Sequence, residues 1–167
     1  MAPTLTASSG RAYPSHYADV HALVYRDGDL LMSLRRDQPV YPRVFQVPAG
    51  LMERGEPATV AACRELREET GLIADPADLR LVHLMHHVSP YGRNARLAMF
   101  FEAGRWGGDL VNAEPEKCEG WHWHNIDAVP EPLPAYLRTA LQHIRHGIPY
   151  SEFAWEPPSA TARPTDG

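Results

Sequence analysis

Three glutamates stand together in the stretch "RELREETG", residues 64 to 71: Glu65, Glu68 and Glu69, interleaved with Arg64 and Arg67. On a helix turning about 100° per residue, the three carboxylates fall within a sector of about 100° on one face. Acidic residues on a helix are ordinarily a solvated surface, and Arg64 can pair along the helix with Glu68. Three clustered carboxylates nevertheless repel one another until a cation neutralises them. Their hard oxygens suit Mg²⁺ or Mn²⁺. Spacing alone leaves both explanations open.

The residues upstream extend the pattern. From Gly50 the chain reads "GLMERGEPATVAACRELREETGL": Gly50, five residues, Glu56, seven residues, Arg64-Glu65-Leu66, one residue, Glu68-Glu69, one residue, Gly71-Leu72. This resembles the Nudix box of the MutT/Nudix hydrolase family at every defining position. The preceding "QVPA" and hairpin also look like that family, over roughly residues 17 to 155. The resemblance implies an α/β/α sandwich around a mixed sheet, with the box as loop, helix and loop. It implies hydrolysis of a nucleoside diphosphate linked to a further group X, at a phosphorus-containing anhydride. Glu65, Glu68 and Glu69 would be metal ligands and catalytic residues, with Glu65 the candidate general base, and the Gly50 carbonyl would add a ligand. Glu56 would anchor the loop to Arg64, and Gly71 would turn the chain out of the helix. The implied chemistry is metal-assisted: Mg²⁺, or Mn²⁺, neutralises phosphate charge and activates a water, and a carboxylate takes its proton.

"NAEPEKCEGWHWHNIDAVP" is similar to a branch of nucleoside-triphosphate diphosphatases. In this family a glutamate outside the box often completes the metal site; Glu116 is the candidate, with Glu114 and Glu119 as alternatives. The substrate expected is a (d)NTP cleaved to (d)NMP and pyrophosphate. ADP-ribose, nucleotide-sugar and dinucleoside-polyphosphate hydrolysis are the alternatives, followed by an isomerase on the same fold and a nucleotide-binding module without turnover. Phe45, Tyr91, Trp121 and Trp123 are candidates for stacking a base, as is Phe100, against the commoner role of aromatic residues as core. Arg35 and Arg36, after a strand, are candidates for phosphate. His86-His87 and the "WHWH" histidines read as ordinary strand residues, because neighbours on a strand face opposite ways. Leu51 departs from the family, where a polar residue often follows the glycine.

These residues need elements to hold them. "YADVHALVYRDGDLLMSLRRD" reads as a hairpin turning at Asp27-Gly28, and "VFQVPAGL" as one short strand closed by Pro48 and Gly50. Residues 57 to 70 read as a helix, with Pro57 at the first position, Glu56 near its positive end and Gly71 just past its end. "LRLVHLMHHVS" and "ARLAMFFEA" read as strands joined by "PYGRN". "GWHWHNI" reads as another, with both tryptophans on one side. Leu133, Leu137, Ala140, Leu141 and Ile144 recur at helical spacing before Gly147. Mixed strands with two helices predict a sheet layered with helices, not a bundle.

The chain has 167 residues, 44% hydrophobic and 22% charged, enough for one domain with a real core. We expect that domain at 17–155, between flexible segments at 1–16 and 156–167 of Ala, Ser, Thr and Pro character. A net charge of −5 with a single lysine, Lys117, argues against a nucleic-acid duplex as partner. An anionic small molecule remains compatible, since a bound cation reverses the local field. A homodimer is compatible with the family but marked by no sequence feature. The start lacks an apolar run after basic residues, no stretch is long enough to span a membrane, and Cys63 and Cys118 are too few for a disulfide framework. The expected compartment is the cytoplasm.

Overall fold

The computed structural model describes residues 15–155, together with the backbone of a short ladder pairing Leu5–Thr6 with Ala12–Tyr13. The flexible segments expected at 1–16 and 156–167 otherwise lie outside the described residues.

The Asp27-Gly28 turn forms as expected. Both residues have positive φ, 53° and 89°, the geometry of a tight hairpin turn that matches strand twist. It joins the short strand Tyr25–Arg26 to β2 (Asp29–Arg35). The longer hairpin is not observed. Before Val24 the chain forms β1 (Tyr17–Leu23), which belongs to a different sheet. The cause is burial. Every residue from Asp19 to Leu23 is buried, as in a central strand covered on both faces, so the alternation read there does not mark a wet and a dry side.

"VFQVPAGL" is likewise two strands, not one. Phe45–Gln46 pairs with β2, while β3 (Ala49–Leu51) pairs with β1. The crossing between sheets falls at Val47-Pro48, where the Pro48 carbonyl accepts the Ala22 N–H at 2.8 Å and proline has no N–H to extend a ladder. This crossing delivers the backbone of 49–51 beneath the glutamate helix.

That helix, α1, spans Ala58–Thr70, with Pro57 as the extended residue before it instead of its first turn, a shift within the usual play of helix ends. Gly71 closes it at φ 75°, where a Cβ would meet the Asp109 carbonyl oxygen and a Val111 methyl, each at 2.8 Å. β4 (Leu79–Val88) and β5 (Ala95–Ala103) form the expected antiparallel pair. β6 (Cys118–Asn125) pairs with β2. α2 (Ala135–Arg145) follows, then β7 (Tyr150–Phe153), a strand without an expectation that pairs parallel with β4.

The larger sheet has the order β7-β4-β5-β1-β3 and is mixed; β1 and β5 run parallel, β4 and β5 antiparallel. Alternation along β5 separates its two faces. Ala98 and Phe100 pack with Leu137, Ala140 and Leu141 of α2, whereas Phe101 packs with Ala61 and Ala62 of α1. The helices therefore lie on opposite faces, an α/β/α sandwich in which apolar burial fixes α1 against β1 and β3. Among the described residues no helix is long and apolar enough to cross a membrane.

Candidate functional site

Two elements bring backbone and carboxylates together: β3, carried across by the Pro48 crossing, and α1 above it. Gly50 lies directly beneath Glu65. A Cβ built on Gly50 would stand 2.1 Å from the Glu65 carboxyl carbon, so only glycine leaves that carboxylate its place. One residue away, the Ala49 N–H donates to Glu69 at 3.2 Å. Glu68, about one turn after Glu65 and next to Glu69, is exposed.

Arg64 braces the same corner. Its Nε and Nη2 donate to Glu56 at 3.1 and 2.6 Å, its Nη2 also to the Leu51 carbonyl at 3.1 Å, and its Nη1 to Glu65 and Glu68 at 2.8 and 3.2 Å. The Glu56–Arg64 anchor implied by the resemblance is thus present, and Glu56 also accepts the Glu53 N–H at 2.6 Å. The Arg64 guanidinium holds the Glu56 carboxyl below the usual carboxylate range. Leu51, the departing residue, contributes its carbonyl to Arg64 and leaves its side chain exposed.

The inner glutamates are electrostatically uncomfortable. Burial pushes Glu69 up to about 8, opposed by the Ala49 N–H and reinforced by the negative charges of Glu65 and Glu114. Burial also raises Glu65, against the pull of Arg64 and with help from Glu68 and Glu114. Among the described residues no three such groups are already drawn into a ligand cluster; Arg64 holds Glu65 and Glu68. The donor set nevertheless suits a hard divalent cation. It consists of carboxylate and carbonyl oxygens beside a glycine that only an absent Cβ keeps open, and the Ala49 N–H and the Lys117 charge offset the burial of Glu69 only in part.

Among the glutamates outside the box, the structure places Glu114, not Glu116, in the field of Glu65 and Glu69. The Lys117 N–H donates back to the Glu114 carbonyl at 2.9 Å, and Lys117 Nζ reaches the Glu114 carboxylate at 2.6 Å. This tight turn leaves Glu116 exposed. Glu119 is taken by an ion pair with Arg43.

Beside the acidic corner lies a cavity of about 370 Å³, a volume in the range of small-ligand sites. Ala49, Gly50 and Leu51 form its edge toward the glutamates; Asp19, His21, Arg35, Tyr41, His87, Arg96 and Tyr136 form much of the rest. His87 stacks on Tyr136 at 4.9 Å and 7°, and His21 on Phe100 at 4.4 Å and 15°. Burial lowers both histidines to about 4, so they are neutral at pH 7. Arg96 is locked on Asp19 through Nε at 2.6 Å and through Nη2.

The residues proposed for substrate fare unequally. Arg35 lines the cavity, but donates to the Tyr41 and Val40 carbonyls and to Gln46 at 3.0, 3.2 and 2.7 Å. Arg36 turns away, onto the Pro115 carbonyl at 2.7 Å. Tyr91 does not line the cavity; its ring stands edge-on at 4.7 Å to Tyr41, which does. Phe45 packs into the core and against His124. Trp121 is buried and donates to the Glu69 carbonyl at 3.0 Å, supporting the helix end from behind. Trp123 stacks on Trp106 at 5.5 Å with Arg26 above it at 4.3 Å. Neither tryptophan lines the cavity, and nor does Phe45 or Phe100; the core claims all four. Sequence reasoning missed Asp19, His21, Tyr41, His87, Arg96 and Tyr136. The available signal was a charged residue and a histidine inside the apolar run "YADVHALV", where unpaired polar groups are costly.

A family model, the NUDIX domain, matches residues 15–144. The NAD-capped RNA hydrolase NudC of Pseudomonas aeruginosa (strain LESB58) is 31% identical over 132 residues, 79% of this chain and 44% of that protein. The ADP-ribose pyrophosphatase of Methanocaldococcus jannaschii is 28% identical over 107 residues, 64% of this chain and 62% of that protein. Among solved structures, the MutT NUDIX hydrolase from Burkholderia pseudomallei superposes with a TM-score of 0.69 at 26% identity, covering 77% of this chain and 97% of that one. The chain spans less than half the length of the NudC relatives it matches.

Proposed function

This chain belongs to the NUDIX family, and from that premise we propose that it is a pyrophosphohydrolase that cleaves a nucleoside diphosphate–X bond with a divalent cation, Mg²⁺ or Mn²⁺. The proposed substrate is a (d)NTP, cleaved to (d)NMP and pyrophosphate. The observation that carries the reading is the meeting at Gly50 of a carboxylate corner and a half-open cavity lined in part by aromatic rings. The corner suits a cation and the phosphates it attracts. The cavity has the size and stacking faces for one nucleoside. Its arginines are already engaged, with Arg96 on Asp19 and Arg35 on two carbonyls and Gln46, which suits an uncharged ring better than a second phosphate chain.

Glu65, Glu68, Glu69, Glu114 and the Gly50 carbonyl would hold the cation. When bound, it neutralises the anhydride oxygens and lowers the pKa of a water. Glu65, held over Gly50 by Arg64, would be the group that takes a proton from an attacking water. Arg64 keeps the loop before α1 fixed through Glu56, so the carboxylates and the 49–51 backbone stay in register. One relative, named an ADP-ribose pyrophosphatase, favours a second reading, ADP-ribose as substrate.

One experiment separates these. The protein is incubated with Mg²⁺ and a panel of NTPs, dNTPs, oxidised dNTPs, ADP-ribose, NAD, nucleotide sugars and dinucleoside polyphosphates, and products are identified by mass. Release of pyrophosphate and a monophosphate from a triphosphate is expected. Cleavage of ADP-ribose alone would replace the first reading by the second. Glu69→Gln, folded by circular dichroism, is expected to lose turnover; wild-type turnover would remove the corner from the mechanism.

A further inference from the structure

The loop from Arg36 to Val44 lines the cavity on one side and on the other is fastened to the segment that follows Glu114. On the cavity side, Tyr41 is part of the wall, with its ring 4.7 Å from Tyr91 and 5.6 Å from Tyr136 and a side-chain hydrogen bond to Ser89. Tyr41 and Arg43 both have left-handed backbones, φ 52° and 53°. Non-glycine residues hold that conformation only where their surroundings over-determine it. Here Arg35 grips the Val40 and Tyr41 carbonyls, and the Tyr91 and Tyr136 rings wedge the side chain.

The opposite side of the loop is fastened to one short segment, residues 115 to 119. The Arg36 N–H donates to the Lys117 carbonyl at 2.8 Å and Arg36 Nε to the Pro115 carbonyl at 2.7 Å. Gln38 reaches the Glu116 carbonyl at 3.4 Å, and Arg43 pairs with Glu119. Glu114 opens that segment, and it is the carboxylate whose charge reaches Glu65 and Glu69. A second attachment, from the Ala113 N–H to the Glu69 carbonyl at 3.2 Å, ties the segment to the end of α1. Glu114 is thus held between the glutamate helix and the loop that carries Tyr41.

We infer that the 36–44 loop is a bracket that sets Glu114 against Glu65 and Glu69 according to how Tyr41 is seated in the cavity wall, with Arg36 as the positioning residue that transmits the setting. The inference rests on the reading of the carboxylate corner as a divalent-cation site. Arg36 touches neither the cavity nor the corner; it acts through the carbonyls of Pro115 and Lys117. Filling the cavity presses on Tyr41, and the bracket carries that pressure to the cation's side.

The test is Mn²⁺ binding to the full chain without nucleotide, read by electron paramagnetic resonance. Arg36→Ala and Tyr41→Ala are each expected to weaken Mn²⁺ by about tenfold, the lower end of what loss of a supporting partner costs a metal site. In the double variant the two losses should not multiply, because both act through one bracket. Arg36→Lys, which keeps a donor for the Pro115 carbonyl, is expected to recover most of the affinity. Should Tyr41→Ala unfold, Tyr91→Ala removes the exposed ring that pins Tyr41 and is read in its place. Mn²⁺ affinity that ignores Tyr41, or losses that multiply, overturns the coupling and leaves Tyr41 a cavity residue that moves KM alone. Absence of Mn²⁺ binding by the unaltered chain overturns the cation site itself and the bracket with it.

Discussion

Replacing Gly50 by alanine adds one carbon, and the structure states where that carbon goes. It would lie 2.1 Å from the Glu65 carboxyl carbon and 2.1 and 2.4 Å from the two carboxylate oxygens, where ordinary contact begins at 3.4 Å. Glu65 must therefore retreat by roughly 1.3 Å. It cannot do so freely, since Arg64 holds one oxygen at 2.8 Å and is itself tied to Glu56 and the Leu51 carbonyl. A displacement of about 1 Å in a reacting constellation costs on the order of a hundredfold in rate, which is about 2.7 kcal/mol of transition-state stabilisation. The backbone itself tolerates the change, because Gly50 does not have the left-handed φ that excludes other residues; alanine even restricts the unfolded chain, worth up to about 1 kcal/mol. Against that gain, forcing a methyl on a held side chain costs about 1–3 kcal/mol, so Gly50→Ala is expected to lower kcat/KM about a hundredfold and urea stability by no more than about 3 kcal/mol. Gly107→Ala, whose Cβ meets nothing within 4 Å, is the matched control. Wild-type kcat/KM in Gly50→Ala would show that the position of Glu65 does not matter to the reaction.

Further outcomes follow from the same contacts. Because burial raises Glu69 from an ordinary 4.5 to about 8, the metal-free folded chain keeps a proton that the unfolded chain has released. Stability measured in EDTA should therefore fall as pH rises from about 4.5 to about 8. Saturating Mg²⁺ should flatten that slope, and a thermal melt series with and without the ion checks both. Arg96→Met strands Asp19 as an unpaired buried charge and is expected to cost about 3–5 kcal/mol in urea unfolding, with less lost when Asp19→Asn accompanies it. Trp121→Phe keeps the packing but removes the bond to the Glu69 carbonyl, for about 1 kcal/mol of stability.

What the sequence makes legible is what local spacing dictates. The box is readable because Gly50, Glu56, Arg64 and the three glutamates must fit one loop and one helix, and a helix has a known pitch. The turn at Asp27-Gly28, the β4–β5 pair and the apolar stripe of α2 are readable for the same reason. Membership of a sheet is not local. "YADVHAL" and "LLMSL" lie either side of a good turn, and each still finds its main partner elsewhere, β1 with β5 and β2 with β6. Their side chains are buried from both faces, so the period-2 signal that assigns a strand to one layer is absent. The same limit hid the role of Trp121 and Trp123: alternation places them on one side of β6 but does not say that this side faces a core.

The unread half of the site has a common cause. Asp19, His21, His87, Arg96 and Tyr136 come from three strands and a helix, and none carries a motif because no two act through sequence neighbours. Their chemistry is set by burial: a buried aspartate paired with Arg96, and histidines kept neutral at pH 7 by desolvation. Glu114 differs from Glu116 only in a turn, where the Lys117 N–H closes back on the Glu114 carbonyl and directs one carboxylate inward. In the box, the three glutamates lie within four residues of one another on one helix, and spacing records them. Across the cavity, the partner of Asp19 lies 77 residues on, and only the parallel pairing of β1 with β5 records it. The half proposed to hold the cation is therefore written mostly in one segment, while the half proposed to choose the substrate is distributed over the fold and has to be read from packing.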